Sequence, residues 1–199
     1  MAQLQIAGGR INLALQKQQA KALTCPATEI LYGGAAGGGK SHLMRVAAIF
    51  YACAIPKLQV YLFRRSYGEL NLNHMEGPTS FHELLAPLTA AGMVKIVDKE
   101  IRFWNGAKIH LCHLQYAKTL QKYQGAEIHV LLMDELTHFF EHEYRYLRAR
   151  VRIGGLEVPP AFKGQVPRVL GGTNPGSAGH GWVKRTFVNP GPMRVIKQK

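Results

Sequence analysis

The chain contains a glycine-rich segment whose residue types are suited to binding phosphate. Residues 34–41 fit the pattern G-x-x-x-x-G-K-[ST] of a P-loop. Glycines let the backbone curl until successive N–H groups point at phosphate oxygens. Lys40 can reach the β- and γ-phosphates of a nucleoside triphosphate, and the Ser41 hydroxyl can bind Mg²⁺. The residues that we predict to bind the nucleotide here are Gly34, Ala35, Ala36, Gly37, Gly38, Gly39, Lys40 and Ser41.

A second candidate group is the acidic pair Asp134–Glu135, which directly follows the apolar run 130–133. A P-loop ATPase needs an acid at such a strand end, so Asp134 would hold Mg²⁺, directly or through water. Glu135 would polarise the attacking water as a general base. The alternative is a strand that ends in a solvated acidic turn, and the P-loop upstream weakens it. We therefore predict Mg²⁺ at Ser41 and Asp134, and catalysis by Lys40, Asp134 and Glu135.

A third group, Thr173 and Asn174, follows the apolar pair Val169–Leu170 within the sequence Gly-Gly-Thr-Asn-Pro-Gly. A polar pair at a strand end beside the γ-phosphate could sense hydrolysis and signal it to a neighbouring element. Asn-Pro-Gly is also an ordinary turn sequence. The residue types alone leave these two interpretations equally open.

The elements that must position these groups alternate between apolar runs and helical patterns. The short run 30–32 leads into the P-loop, and a helical pattern over 41–54 follows it. Further strands are predicted over 58–63 and 128–133. This alternation indicates an α/β fold with a mostly parallel sheet flanked by helices.

Two other segments depart from that alternation. Asn105-Gly106 separates two short strand patterns, and because both residues tolerate positive φ we predict a small β-hairpin insertion there. Residues 1–12 are weakly patterned, which indicates a loose N-terminal arm before an ATPase domain over 13–199.

The bulk composition points to a polyanionic partner. The formal net charge is +13, and from Tyr144 to Lys199 the only acid is Glu157. Nucleic acid is the first candidate for the partner, and a basic protein without such a partner is the alternative.

Three isolated cysteines and the lack of a long apolar segment indicate an intracellular, soluble chain with no membrane partner.

Several segments together resemble the large terminase subunit of tailed bacteriophages. These segments have the order and spacing found in the ATPase domain of that subunit, and the resemblance covers about residues 13–188. The segments are Glu29–Ser41, Leu62–Arg65, Met133–Leu136, Gly172–Gly176 and Gly179–Lys184. The resemblance implies a P-loop NTPase of the additional-strand, RecA-like class. It also implies an ATP-driven motor that moves double-stranded DNA into a capsid in the host cytoplasm and is absent from the mature virion. A ring of copies, a portal protein and a small terminase subunit would be its partners.

The resemblance also implies roles for individual residues. Thr173 and Asn174 would form the coupling motif. An upstream glutamine would contact adenine, and of Gln18 and Gln19 we favour Gln19. A neighbouring subunit would supply an arginine, but residues 121–125, before the acidic strand, contain none. The arginines that could serve in this role, or contact DNA instead, are Arg64, Arg65, Arg148 and Arg150.

The resemblance also bears on the nuclease domain of the family and on the alternative functions. The family's C-terminal nuclease needs several carboxylates on a metal, and no acid follows Thr173-Asn174, so we expect that domain to be absent here. The remaining alternatives are another DNA-dependent P-loop ATPase of helicase-like type, or a non-catalytic DNA-binding or assembly module with a vestigial nucleotide site.

Overall fold

The computed structural model describes residues 2–6, 9–33 and 37–190. The strands in this part of the chain are β1 Ala2–Ile6, β2 Gly9–Leu13, β3 Glu29–Gly33, β4 Gln59–Arg64, β5 Val94–Val97, β6 Glu100–Phe103, β7 Lys108–His113, β8 Val130–Met133 and β9 Arg168–Thr173. The helices are α1 Lys17–Thr24, α2 Lys40–Ala54, α3 Tyr67–Leu70, α4 Phe81–Ala90, α5 Glu141–Arg148 and α6 His180–Val183. Shorter helical turns occupy 71–75, 117–123, 136–138, 160–162 and 184–188.

The described residues form one seven-stranded sheet in the order β3-β9-β8-β4-β7-β6-β5. Strands β3, β9, β8, β4 and β7 run parallel to one another. Strand β6 is antiparallel to both of its neighbours, β5 and β7. The carboxyl ends of the parallel strands therefore lie at one edge of the sheet. This arrangement confirms the predicted α/β fold.

Strand β8 is apolar throughout because both faces of the sheet are covered. Val130 and Leu132 belong to a core shared with α2 and α4. Leu131 and Met133 belong to a second core, which includes residues of α5 and α6. All four side chains are fully buried. This two-sided packing fixes the end of β8, and with it the acidic residues that follow.

The predicted hairpin turn is present, although it differs in detail. Strands β6 and β7 are antiparallel, and the Gly106 N–H donates to the Phe103 carbonyl oxygen at 3.0 Å. Gly106 has a φ of 80°, whereas Asn105 keeps a negative φ and accepts the Ala107 N–H on its side-chain oxygen. The hairpin is also continuous with the main sheet, because β7 pairs in parallel with β4.

The prediction of a loose arm over residues 1–12 is wrong for the residues described there. Strands β1 and β2 form an antiparallel pair, and the side chains of Ile11 and Leu13 are each only 1% exposed. The alternation of Ile11, Asn12 and Leu13 is a period-two pattern, but it was too short to recognise as a strand. The domain boundary at residue 13 remains a prediction.

The part of the chain that the structure describes contains no helix with both the length and the apolar character of a membrane span.

Candidate active site

The end of the P-loop has the backbone that phosphate binding requires. Gly37 and Gly39 have φ values of 80° and 68°, which residues with a Cβ rarely adopt. Lys40 is the first residue of α2, whose positive N-terminal end faces the loop. Gly34, Ala35 and Ala36 lie outside the described residues, so their predicted contacts stay predictions.

Gln19 contacts the P-loop directly from α1. Its side chain is 2% exposed, and its Nε2 donates to the carbonyl oxygen of Gly39 at 2.8 Å. Its Oε1 accepts the N–H of Gln16 at 2.8 Å. The amide is thus bonded at both ends and braces the loop. Gln18 is exposed on the same helix.

Asp134 lies fully buried at the end of β8, where donors from three separate elements converge on it. Within the described residues its Oδ2 accepts from the Ser41 hydroxyl at 2.9 Å, from Arg64 Nη1 at 2.5 Å and from His74 Nε2 at 3.0 Å. Its Oδ1 has no hydrogen-bond partner in the part of the chain that the structure describes. The carboxylate is therefore fixed in orientation, with one oxygen uncommitted.

The electrostatic environment keeps Asp134 ionised. Burial would raise the pKa of this carboxyl, but the hydrogen bond from His74, the charges of His74 and Arg64, and the hydrogen bond from Ser41 outweigh it and hold the pKa at about 2. Burial also lowers the pKa of His74 below its ordinary value, so its ring is neutral near pH 7. A neutral ring that donates from Nε2 must carry its proton there.

The Asp134–Ser41 pair fits Mg²⁺. Magnesium prefers oxygen ligands, commonly one or two protein groups together with water and phosphate oxygens. The Ser41 hydroxyl lies 2.9 Å from Asp134 Oδ2, and Asp134 Oδ1 is a buried carboxylate oxygen without a donor among the described residues. An uncompensated buried oxygen of this kind costs free energy unless a cation or water meets it.

Asn174 connects the P-loop lysine with the second acid. Lys40 Nζ donates to Asn174 Oδ1 at 2.7 Å, and Asn174 Nδ2 donates to Glu135 Oε1 at 3.2 Å. Glu135 has a φ of 55°, a left-handed conformation that costs energy for a residue with a side chain. The Glu135 carboxylate is therefore linked to Lys40 through the Asn174 side chain.

Thr173 and Asn174 are joined to the segment that follows Glu135. The Thr173 hydroxyl donates to Thr137 Oγ1 at 3.0 Å, and the Thr137 hydroxyl lies 3.1 Å from the Asn174 carbonyl oxygen, to which it donates. Because β9 and β8 are neighbouring parallel strands, their ends meet at this point. The polar pair therefore contacts both the P-loop lysine and the chain beyond Glu135.

The four candidate arginines occupy different environments. Arg64 is buried against Asp134 of its own chain, so neither predicted role, each of which requires an exposed guanidinium, fits it. Arg65 donates twice to Glu143, at 2.8 Å each. Arg148 donates to Glu29 at 2.6 Å. Arg150 donates to the carbonyl oxygens of Tyr123 and Tyr146. The roles of Arg65, Arg148 and Arg150 stay predictions.

Sequence reasoning missed two residues of this site, His74 and Thr137. His74 lies on the turn 71–75, and its side chain is 0% exposed. Thr137 is buried two residues after Glu135. Neither belongs to a spacing pattern, so only the folded arrangement reveals them.

The low pKa of Asp134 predicts acid sensitivity. Its folded pKa of about 2 lies below the ordinary value of 3.8, so its stabilising contribution is complete above the ordinary value and is lost as the pH falls through about 2. We expect this carboxylate to account for a loss of about 2 kcal/mol in the free energy of unfolding over that window. Urea unfolding in EDTA at several pH values measures it.

The variant Asp134→Asn isolates that contribution. It should lack this part of the decline, whereas Asp98→Asn, on an exposed turn, controls for the removal of one carboxylate. Equal declines in wild type and Asp134→Asn would contradict the prediction.

Comparisons with known proteins agree with this geometry. The profile of the family described as "Terminase large subunit, T4likevirus-type, N-terminal" matches residues 31–160. The large terminase of a thermophilic bacteriophage is similar in structure, with a TM-score of 0.62, 16% identity, and coverage of 86% of this chain and 41% of that one. The same terminase in complex with ATP-gamma-S gives a TM-score of 0.55 at 16% identity, over 80% and 38% of the two chains.

The terminase ATPase domain of Thermus phage P74-26 gives a TM-score of 0.51 at 13% identity, over 86% of this chain and 85% of that one. At these identities the structural likeness supports the fold alone. The chain spans about two fifths of the thermophilic phage terminase. No curated protein matches the chain by sequence.

Proposed function

The chain belongs to the family of N-terminal regions of terminase large subunits of the T4-like type, and we propose that it is an ATP-hydrolysing motor that moves double-stranded DNA into a viral capsid. The observation that carries this proposal is the meeting of Lys40, Asp134, Glu135 and Asn174 at the ends of neighbouring elements. The groups that we propose to bind phosphate, hold the metal and activate water are thus joined by hydrogen bonds, which supports the proposal.

Each residue then has a distinct chemical task. Lys40 offsets negative charge on the β- and γ-phosphates, and the loop N–H groups bind phosphate oxygens. Mg²⁺, when bound at Ser41 and Asp134, would neutralise charge that develops on the phosphates. Glu135 accepts a hydrogen bond from the water that attacks the γ-phosphate and orients it.

Asn174 is suited to couple the site to the rest of the domain. The γ-phosphate competes with Asn174 for Lys40, because a lysine ammonium binds phosphate oxygens strongly. Release of Asn174 would free Glu135, and the Thr173–Thr137 contact would pass the change to α5 through the segment 136–140. We propose this exchange as the coupling step.

Nucleotide recognition and the ring arginine are further parts of the proposal. The terminase structure with ATP-gamma-S supports a nucleotide at this fold. Gln19 would contact adenine, which requires its buried amide to turn away from Gly39 or Gln16. A neighbouring copy would supply an arginine, with Arg65, Arg148 and Arg150 as candidates. Because Arg65 and Arg148 are paired with acids in the free chain, their use would require those pairs to open.

The proposed DNA contacts are to phosphate. The last third of the described chain carries exposed basic side chains at positions that include Arg145, Arg152, Lys163, Lys184 and Arg185. Packaging does not depend on DNA sequence, so affinity should come from neutralising the backbone and should fall steeply with salt. A portal protein, a small terminase subunit and other copies of the chain are the proposed protein partners, in the host cytoplasm.

The test is ATP hydrolysis by the purified chain, with and without double-stranded DNA, over a range of protein and salt concentrations. We expect DNA to stimulate the rate, salt to remove the stimulation, and activity per molecule to rise with protein concentration if an arginine acts between copies. No hydrolysis above that of Glu135→Ala under any condition would support the non-catalytic alternative. Strand separation coupled to hydrolysis would support the helicase-like alternative.

A further inference from the structure

The buried histidine at position 74 makes an unusual set of contacts. Its side chain is completely buried, and its Nε2 lies 3.0 Å from Asp134 Oδ2. Its Nδ1 has no hydrogen-bond partner within residues 2–6, 9–33 and 37–190. The ring also stacks on Phe81, with centroids 6.2 Å apart. Asp134 is therefore the polar contact that orients this imidazole.

The histidine carries a desolvation cost of its own. A buried imidazole with one nitrogen unbonded costs desolvation energy that an aliphatic side chain of similar volume would avoid. The ring on which it stacks, Phe81, is apolar and buried, and would accept such a replacement. The contact that compensates for this cost is the bond to Asp134, a buried carboxylate that needs donors.

The bond to Asp134 has a specific geometric effect. His74 and Arg64 approach the same oxygen, Oδ2, from the turn 71–75 and from β4 respectively. Together with Ser41 they define the side-chain rotation of Asp134, and they leave Oδ1 without a donor among the described residues. Groups that contact a metal-binding carboxylate in this way commonly control metal affinity.

The turn 71–75 is a single turn of π-helix, in which hydrogen bonds join residues five positions apart. Such π-type turns are rare and occur often at functional sites. Here the turn links α3 to α4 and brings His74 inward, while Leu72 on the same turn is 64% exposed. The backbone therefore departs from a regular helix at the place where the histidine reaches the acidic strand end.

We propose that His74 is a positioning residue for Mg²⁺: it fixes the Asp134 carboxylate so that the metal binds with the nucleotide, and it does not itself touch substrate. This inference rests on the proposed function, because it presumes that Asp134 serves a Mg–nucleotide site. It predicts that His74 matters for the metal-dependent part of nucleotide affinity and little for the rest.

The experiment measures the affinity of the full chain for a fluorescent N-methylanthraniloyl derivative of ADP, once with Mg²⁺ and once with EDTA. The ratio of the two dissociation constants is the Mg²⁺ increment. We expect His74→Leu and His74→Asn to reduce the increment about tenfold, because losing an outer contact to a metal ligand commonly costs 10- to 100-fold in affinity. The affinity in EDTA should stay within about twofold of wild type.

A conservative variant separates positioning from packing. Glutamine can place an N–H donor at about the reach of Nε2, whereas asparagine is too short, so His74→Gln should keep most of the increment. Binding of Mn²⁺ with ADP, followed by electron paramagnetic resonance, gives a readout independent of the fluorophore. If His74→Leu fails to fold, the contrast between His74→Gln and His74→Asn still decides the question.

His129 supplies a matched control. It is 3% exposed and lies just before β8, at the opposite end of the strand from Asp134. It accepts the Gln59 N–H on Nδ1 at 2.9 Å, so His129→Leu removes a buried histidine far from the metal site. That variant should keep the wild-type increment. An unchanged increment in His74→Leu or His74→Asn, or an equal loss in His129→Leu, would overturn the inference. Lack of nucleotide binding by wild type would instead overturn the proposed function.

Discussion

Replacing Glu135 with glutamine is expected to lower the rate of ATP hydrolysis by about 10²- to 10³-fold, since a general base typically contributes between 10² and 10⁴. Glutamine has nearly the same shape and can keep a contact with Asn174, but it cannot accept the proton of the attacking water. The site would otherwise remain assembled, because Lys40, Ser41 and Asp134 do not depend on the Glu135 charge. ATP affinity should therefore change by less than about threefold.

Single-turnover hydrolysis and equilibrium ATP binding, measured on the same preparation, test both halves of this prediction. Glu141→Gln is a suitable control, because Glu141 lies six residues further along the chain and pairs with Arg145 and Arg185 at the surface. It should hydrolyse ATP within about twofold of wild type, as surface substitutions usually have small effects. Comparable rates in Glu135→Gln and wild type would exclude Glu135 as the base and would direct attention to another acceptor near Asn174.

Much of the frame could be predicted because it is encoded locally. The run 130–133 is apolar at every position because both faces of β8 are covered, and its end identified the acidic pair. The helical pattern after the P-loop likewise predicted α2, which begins at Lys40. In each case the residues that carry the signal are neighbours in sequence, so their spacing was sufficient.

The contacts within the site could not be predicted in the same way. Lys40 and Asn174 meet because β9 inserts between β3 and β8, and nothing in the spacing of residues indicates that order of strands. His74 reaches Asp134 from 60 positions away, through a turn without a periodic pattern. Arg64 was identified by its position at a strand end, but its direction into the site depends on the burial of Asp134 beside it. Non-local packing decides all three.

Lys40→Met should produce the largest loss of nucleotide affinity. The lysine is 7% exposed at the start of α2, so its charge is poorly screened by solvent and acts strongly on a bound triphosphate. Removing one partner of a buried charge pair costs roughly 3 kcal/mol or more, which corresponds to about a 100-fold rise in the dissociation constant for ATP. Methionine keeps the aliphatic stem, and so the packing of α2 against the loop should survive.

Lys40→Met should also lower the rate of hydrolysis, and not only the affinity for ATP. In the free chain Lys40 donates to Asn174 Oδ1, and with ATP bound we propose that it contacts the γ-phosphate instead. There its charge also stabilises the transition state, so hydrolysis at saturating ATP should fall by at least about tenfold in Lys40→Met, in addition to the loss of affinity.

The control is Lys17→Met, which removes the same charge from an exposed position on α1, two residues before Gln19. Isothermal titration and steady-state kinetics would report affinity and turnover separately for the two variants. If Lys40→Met weakens ATP binding no more than Lys17→Met does, the affinity comes from general positive charge and the P-loop lysine is not specific. If binding weakens while saturated turnover is unchanged, Lys40 contributes to ATP binding but not to stabilising the transition state. The two measurements therefore separate ground-state binding from transition-state stabilisation, and a loss in both is expected if Lys40 stays on the γ-phosphate during hydrolysis.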